Sequence, residues 1–113
     1  YQIVGQAGGD TAINGALPPA RRFYFYDGAG HFIGRVAASL WEFHQTLGTL
    51  PIDSLRYHLT RGDFERWIRD VLRDSNLAQR LHKLAHRELG DADLRGAIVT
   101  LVSNRYQELD SLV

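Results

Sequence analysis

The sequence predicts an α+β fold in which one N-terminal β-hairpin packs on a bundle of four to five helices. A run of aromatic residues followed by an Asp-Gly turn indicates the hairpin, within residues 22–36. Apolar residues recurring every three or four positions indicate helices from residue 39 onward. No repeat or second domain is apparent, so we expect residues 21–113 to form a single α+β domain.

The hairpin is predicted from the segment FYFYDGAGHFIGRV. Residues 23–26 are aromatic and suit a half-buried strand, while Asp27 and Gly28 favour a tight turn. The return strand begins at Phe32. Within it, Gly34 indicates a β-bulge or the close approach of another backbone.

Capping signals define the first two helices. Ser39 and Glu42 have the spacing of a capping box, and Gly48 suits the end of that helix. A second, shorter helix follows, for which Asp53 or Ser54 is the expected N-cap.

The tripeptide Arg61-Gly62-Asp63 is predicted to be a joint between helices. Gly62 can adopt the left-handed conformation that ends the second helix, and Asp63 can cap the third. The same tripeptide acts as an adhesion signal only in an exposed, extended loop, which we do not expect here. The third helix then carries an unbroken apolar stripe, made of Phe64, Trp67, Ile68, Val71 and Leu72.

Two further helices complete the prediction. One spans residues 76–89 and ends at Gly90. The last is capped by Asp91 or Asp93 and presents a broad apolar face between residues 94 and 109.

Composition excludes several functional classes. The 13 basic side chains balance the 13 acidic ones, which argues against a protein built mainly to hold nucleic acid. With no Cys, the chain has neither disulfides nor thiolate metal sites. No apolar run approaches the roughly 20 residues of a membrane helix, so we expect no membrane span.

The histidines offer two candidate sites. His44 and His58 occupy core-facing positions, where they could form a ligand or proton-transfer site with Asp63 orienting His58. The alternative, which we favour, is that both are structural. His82 and His86 have an i, i+4 spacing that can bind a metal, but no third ligand is obvious and we expect neither metal nor cofactor.

A helix-turn-helix that binds nucleic acid is a further alternative. Two short helices joined at Gly62 match that unit, and Arg61, Arg66 and Arg69 could contact phosphates. The acidic residues interspersed with these arginines favour an ordinary helical corner instead.

Residues 1–20 are predicted to be an extended arm. They are rich in Gly and Ala, and their sizeable apolar side chains are only Tyr1, Ile3, Val4, Ile13 and Leu17. Burying so few side chains does not offset the conformational entropy of ordering the whole segment. We therefore expect these five residues to bind a neighbouring subunit.

The middle half of the chain resembles a family of small uncharacterised prokaryotic domains, catalogued as domain of unknown function type 5752. The resemblance depends on an aromatic strand, a Gly-Asp-Phe corner and a Trp-Ile pair. The matching positions are Phe23, Phe25, Gly34, Ser39, Leu40, His58, Gly62, Asp63, Phe64, Trp67, Ile68, Leu77 and Ala78. It implies a prokaryotic, cytoplasmic protein and no particular activity.

The function expected from these patterns is a non-catalytic interaction module. It would be an accessory subunit of a larger prokaryotic complex or a homo-oligomer, since the sequence lacks a phosphate loop and a telling carboxylate pair. A small enzyme or ligand-binding domain using His44 and His58 is the first alternative. The nucleic-acid binder is the second.

Overall fold

The fold is an N-terminal hairpin followed by helices, seen in a computed structural model that describes residues 15–111. A short 3₁₀ turn, Pro19–Arg21, leads into strands β1 (Phe23–Tyr26) and β2 (Phe32–Ala37). The helices are α1 (Leu40–Leu47), α2 (Ile52–Arg61), α3 (Asp63–Asp70), α4 (Ser75–Ala85) and α5 (Asp91–Asp110). The α+β prediction is confirmed.

The hairpin contains a bulge, which is one of the two alternatives that Gly34 suggested. The antiparallel pairing shifts from Phe25 opposite Arg35 to Tyr26 opposite Phe32, which leaves Ile33 and Gly34 outside the register. Gly34 has a φ of 80°, a conformation that favours glycine. The bulge lies entirely in β2, so the alternation of side chains along β1 is undisturbed.

The inner face of the hairpin forms one wall of the core. Phe23 and Phe25 are buried and their rings contact those of Phe43 and Phe64. Trp67 contacts Phe23 and donates its indole N–H to the carbonyl of Arg21 at 2.8 Å. This aromatic cluster holds β1 against α1 and α3.

The cap of α1 is close to the prediction. The Ser39 hydroxyl accepts from the Glu42 N–H at 3.1 Å. Glu42 reaches back to the N–H of Ala38, one residue earlier than the standard capping box.

The predicted caps of α2 are wrong. The helix begins at Ile52 after Pro51, which has no side-chain cap bond. Ser54 lies inside the helix, where its buried hydroxyl donates to the carbonyl of Tyr26 at 2.6 Å. A tertiary hydrogen bond to the hairpin therefore uses the group that the sequence suggested as a cap.

The corner at Gly62 is partly as predicted. Gly62 has a φ of 78° and ends α2, donating its N–H to carbonyls of that helix. Asp63, however, makes no side-chain cap bond to α3. Its carboxylate turns instead to His58, because the His58 ring in the preceding helix lies within hydrogen-bond distance.

Helix α4 ends earlier than predicted, at Ala85, and Gly90 precedes α5 instead of closing α4. Arg56 contacts the segment between the two helices, where it donates to the carbonyl of Leu89 at 2.7 Å and pairs with Asp91. Asp91 is thereby engaged by α2, and α5 has no side-chain cap.

The folded domain includes part of the predicted arm. Leu17 is buried in the core and its N–H donates to the Ala38 carbonyl at 2.8 Å. Among the described residues, the core thus begins at Leu17, four positions before the predicted domain boundary. The other arm residues proposed for partner binding, Tyr1, Ile3, Val4 and Ile13, lie outside the described residues.

Within residues 15–111, no helix combines the length and the apolar composition that crossing a membrane would require.

Candidate binding cleft beside the hairpin

A cleft of about 490 Å³ lies between strand β1 and helices α2 and α3. We call it the hairpin cleft. Its aromatic lining includes Tyr24, Tyr26, Tyr57 and Trp67. Its charged lining consists of Arg22, Arg61, Arg66 and Asp63, and the buried ring of His58 also borders it.

His58 connects α2 to the hairpin and to α3. Its Nε2 accepts from the backbone N–H of Tyr26 at 2.7 Å, and its Nδ1 lies 2.8 Å from the Asp63 carboxylate. These partners assign the proton to Nδ1, which donates to Asp63. His58 is only 3% exposed, so both ring nitrogens are paired in a nearly dry environment.

Two side chains of α2, one turn apart, hold the outer edge of β1. His58 accepts from the Tyr26 N–H, and Ser54 donates to the Tyr26 carbonyl. They take the place of a third strand at this residue, because both backbone groups of Tyr26 point away from β2.

Burial lowers the pKa of His58 below its usual value of 6.5. The hydrogen bond and the charge of Asp63 act in the opposite direction, and the positive charge of Arg61 lowers the pKa slightly further. A proton on Nε2 would also oppose the Tyr26 N–H, since two donors would then face each other. The imidazole is therefore neutral near neutral pH, and neither nitrogen is available as a general base in this arrangement.

Asp63 carries more than one partner. Besides His58, its carboxylate accepts from Arg61 Nε at 3.1 Å and forms an ion pair with Arg66. The prediction that Asp63 orients His58 therefore agrees with the geometry, and the same carboxylate positions two arginines of the cleft.

His44 does not join this site. It does not line the hairpin cleft and instead contacts Trp41, whose ring also packs against Tyr106 of α5. Its Nδ1 is buried and has no hydrogen-bond partner among residues 15–111. The structure thus separates His44 from the site formed by His58 and Asp63.

His82 and His86 lie beside a second cleft, of about 420 Å³. Their ring centroids are 4.6 Å apart. Nδ1 of His82 lies 3.2 Å from Glu65, and Nδ1 of His86 lies 2.9 Å from the His82 carbonyl. In the described part of the chain, no group of three or more His, Asp or Glu side chains is arranged to hold a metal ion.

The three arginines that a helix-turn-helix would use to contact phosphates each pair with a nearby aspartate of this domain. Arg61 and Arg66 are bonded to Asp63, and Arg69 is bonded to Asp70 at 3.0 Å. Acidic residues interspersed with the arginines in this way favour an ordinary charged helical corner over a helix face that contacts a nucleic-acid backbone.

The aromatic and basic lining contributed by β1 and by the residue before it was not predicted from the sequence; it includes Arg22, Tyr24 and Tyr26. The signal was present in the alternation of Phe and Tyr in the segment FYFY. In a half-buried strand the phenols belong on the face with access to water, and that face borders the cleft.

No protein-family model, curated protein or solved structure matches this chain. The resemblance to the domain of unknown function therefore stays a prediction.

Proposed function

We propose that this domain is a non-catalytic interaction module that docks on a partner protein through the outer face of its hairpin. This outer aromatic face consists of Tyr24, Tyr26 and Phe32. An accessory subunit of a larger assembly would have such a surface.

The exposure of the outer aromatic face is the observation that carries the proposal. Tyr24 is 38% exposed and Phe32 is 45% exposed. The Phe32 ring lies 6.1 Å from that of Tyr24 and 5.7 Å from that of Tyr26, so the three rings form one continuous surface. Clustered exposed aromatic rings are a common feature of protein interfaces.

The state of His58 supports a non-catalytic role. An acid–base catalyst needs a ring nitrogen that can exchange a proton with a substrate. In His58 one nitrogen is engaged by Tyr26 and the other by Asp63. This histidine is used to join the hairpin to α2 and α3.

Charge favours a different protein over a second copy as the partner. The outer aromatic face adjoins the hairpin cleft, which carries three arginines against one carboxylate, Asp63. Two copies facing each other through this surface would bring like charges together. A partner that presents an apolar patch beside acidic side chains is complementary.

Site-specific photo-crosslinking tests the proposal. A photoreactive phenylalanine analogue replaces Phe32 in one variant and Trp41 in a control variant. Trp41 is similarly exposed, at 40%, but lies on α1. We expect position 32, and not position 41, to crosslink one acidic partner protein in source cells.

Competition makes that result specific. Excess unlabelled protein should abolish the crosslink from position 32, whereas excess Phe32→Ser protein should not. Equal crosslinking from both positions, or equal competition by both proteins, would contradict the proposal. Light scattering of the purified chain distinguishes a homo-oligomer from a complex with a different protein.

A further inference from the structure

The hairpin cleft has an excess of positive charge that its own residues do not neutralise. Arg22, Arg61 and Arg66 line it, and among residues 15–111 Asp63 is the one acidic side chain in its lining. His58 adds no charge near neutral pH, because burial lowers its pKa. The lining therefore carries more guanidinium groups than the carboxylate can balance.

Asp63 has little capacity left for further cations. One of its oxygens accepts from both His58 and Arg61, and the other accepts from Arg66. Its side chain is 18% exposed. Asp63 thus serves to position Arg61 and Arg66 and does not cancel the charge of the whole cleft.

Each arginine is held in place by bonds that leave further N–H groups free. Arg66 Nη1 donates to the Arg61 carbonyl at 3.0 Å, and Arg22 Nε donates to the Leu17 carbonyl at 2.7 Å. The Arg61 guanidinium lies over the Tyr57 ring, 4.9 Å from its centroid. A guanidinium has more donors than these contacts use, and the remaining ones have no partner within the described residues.

The guanidinium groups of Arg22, Arg61 and Arg66 are held in orientations that suit binding of a planar carboxylate or a tetrahedral phosphate. Arginine binds carboxylate and phosphate groups through paired N–H donors, and prior immobilisation lowers the entropic cost of binding. The rings of Tyr24, Tyr57 and Trp67 give the same cleft an apolar wall. A ligand with an oxyanion attached to a ring or apolar chain would contact both parts.

We propose that the hairpin cleft is a binding site for an oxyanion, carboxylate or phosphate, that is attached to an apolar or aromatic group. Arg22, Arg61 and Arg66 bind the oxyanion, and the aromatic wall contacts the group that carries it. The site can be filled by a free small molecule or by an acidic side chain of a protein. Binding of an oxyanion in the hairpin cleft does not depend on the proposed docking function.

Titration by NMR tests this site with three small probes. Phenyl phosphate and benzoate carry an oxyanion on a ring, and benzamide is the neutral control. We expect the two anions to produce saturable shifts of the Tyr24 amide and of the Arg61 and Arg66 Nε–H signals. Benzamide should produce none, and added salt should weaken both anions.

Matched arginine variants localise the binding. Arg66→Gln removes a guanidinium from the cleft, whereas Arg69→Gln removes an exposed guanidinium from the same helix that does not line the cleft. We expect the first change to raise the Kd of the better anion by roughly tenfold or more and the second to leave it unchanged. Arg61→Gln provides a second cleft variant, and thermal melts verify that each protein is folded.

The relative affinities identify the source of the oxyanion. Tighter binding of phenyl phosphate than of benzoate assigns a phosphate, and the reverse order assigns a carboxylate. An acetylated Glu-Phe peptide that binds more tightly than either, while its Gln-Phe analogue does not, assigns the site to an acidic protein segment. Absence of saturable shifts for every anion, equal shifts with benzamide, or equal loss in Arg66→Gln and Arg69→Gln would overturn the proposal.

Discussion

The two faces of strand β1 differ sharply although they are made of similar aromatic residues. Phe23 and Phe25 point inward and are 6% and 0% exposed, packed among the rings of the core. Tyr24 points outward and is 38% exposed, beside Phe32 of β2. The strand thus contributes one face to stability and presents the other to solvent.

The difference teaches that a hydroxyl group distinguishes an exposed position from a core position in this strand. A phenylalanine has no polar atom, so its complete burial leaves no hydrogen bond unmade. A tyrosine has an apolar ring and a polar tip, which suits a surface that is partly exposed to water. The expected effects of mutation follow from this contrast.

The largest expected effect comes from the inner face. Phe25→Ala should destabilise the fold by about 3–5 kcal/mol, because it removes a fully buried ring from the centre of the aromatic cluster. Urea unfolding monitored by circular dichroism measures this change. If the free energy of unfolding fell by less than it does on substitution of an exposed aromatic residue, the described packing of β1 would be wrong.

The segment before β1 sharpens the same contrast. A protein of residues 15–113 should be more stable than one of residues 21–113 by about 1.5–3 kcal/mol, since only the longer protein retains buried Leu17. Comparison of the two urea midpoints tests this, with Leu17→Ala in the longer protein as the side-chain control. Equal stability of all three would show that Leu17 is not part of the core.

Removing the hydrogen bond between His58 of α2 and strand β1 is expected to have an intermediate effect on the free energy of unfolding. His58→Leu should cost about 1–3 kcal/mol, because the Tyr26 N–H loses its acceptor in a buried environment. His86→Leu, at an exposed histidine, is the control and should be close to neutral. If both changes were neutral in urea unfolding, the pairing of His58 with Tyr26 would be wrong.

The stability contributed by His58 should depend on pH. Its pKa is lowered in the folded state, so the unfolded state binds a proton more readily as the pH falls below about 6.5. The stability that His58 contributes is therefore fully present above that pH. Below it, this contribution decreases by at most about 1.4 kcal/mol per pH unit, the limit for one proton. The lowered pKa is the net result of burial, which has the largest effect, and of the neighbouring charges of Asp63 and Arg61.

The difference in stability between the wild-type protein and His58→Leu measures this effect while cancelling the other histidines. It should be larger at about pH 7.5 than at about pH 5.5. A difference that grows on acidification would mean that His58 is stabilised as the cation and that its pKa is raised.

The smallest effect on stability is expected on the outer face. Phe32→Ser should change the free energy of unfolding by less than about 0.5 kcal/mol, because the ring is already 45% exposed. Thermal melts measure this, and the same variant should fail to compete in the crosslinking experiment. A large loss of stability would mean that the outer aromatic face belongs to the core.

The sequence by itself determined the fold class and the course of the chain. Periodicity identified the hairpin and the helices. Gly62 was predicted to be a left-handed helix end, and the bulge at Gly34 is one of the two alternatives that the sequence left open. These features are local, because a glycine conformation or an apolar stripe is set by residues a few positions apart. The association of His58 with Asp63, five residues away, was predicted for the same reason.

Only the tertiary structure decided how side chains with several possible partners are used. Ser54 looks like a helix cap in sequence, yet its hydroxyl binds the carbonyl of Tyr26, because the fold brings that distant group within hydrogen-bond distance. His44 and His58 look equivalent in sequence, yet only His58 borders the hairpin cleft. Polar groups form the best hydrogen bonds that the packed chain places within reach, and contacts distant in sequence are fixed by packing, which no local pattern specifies.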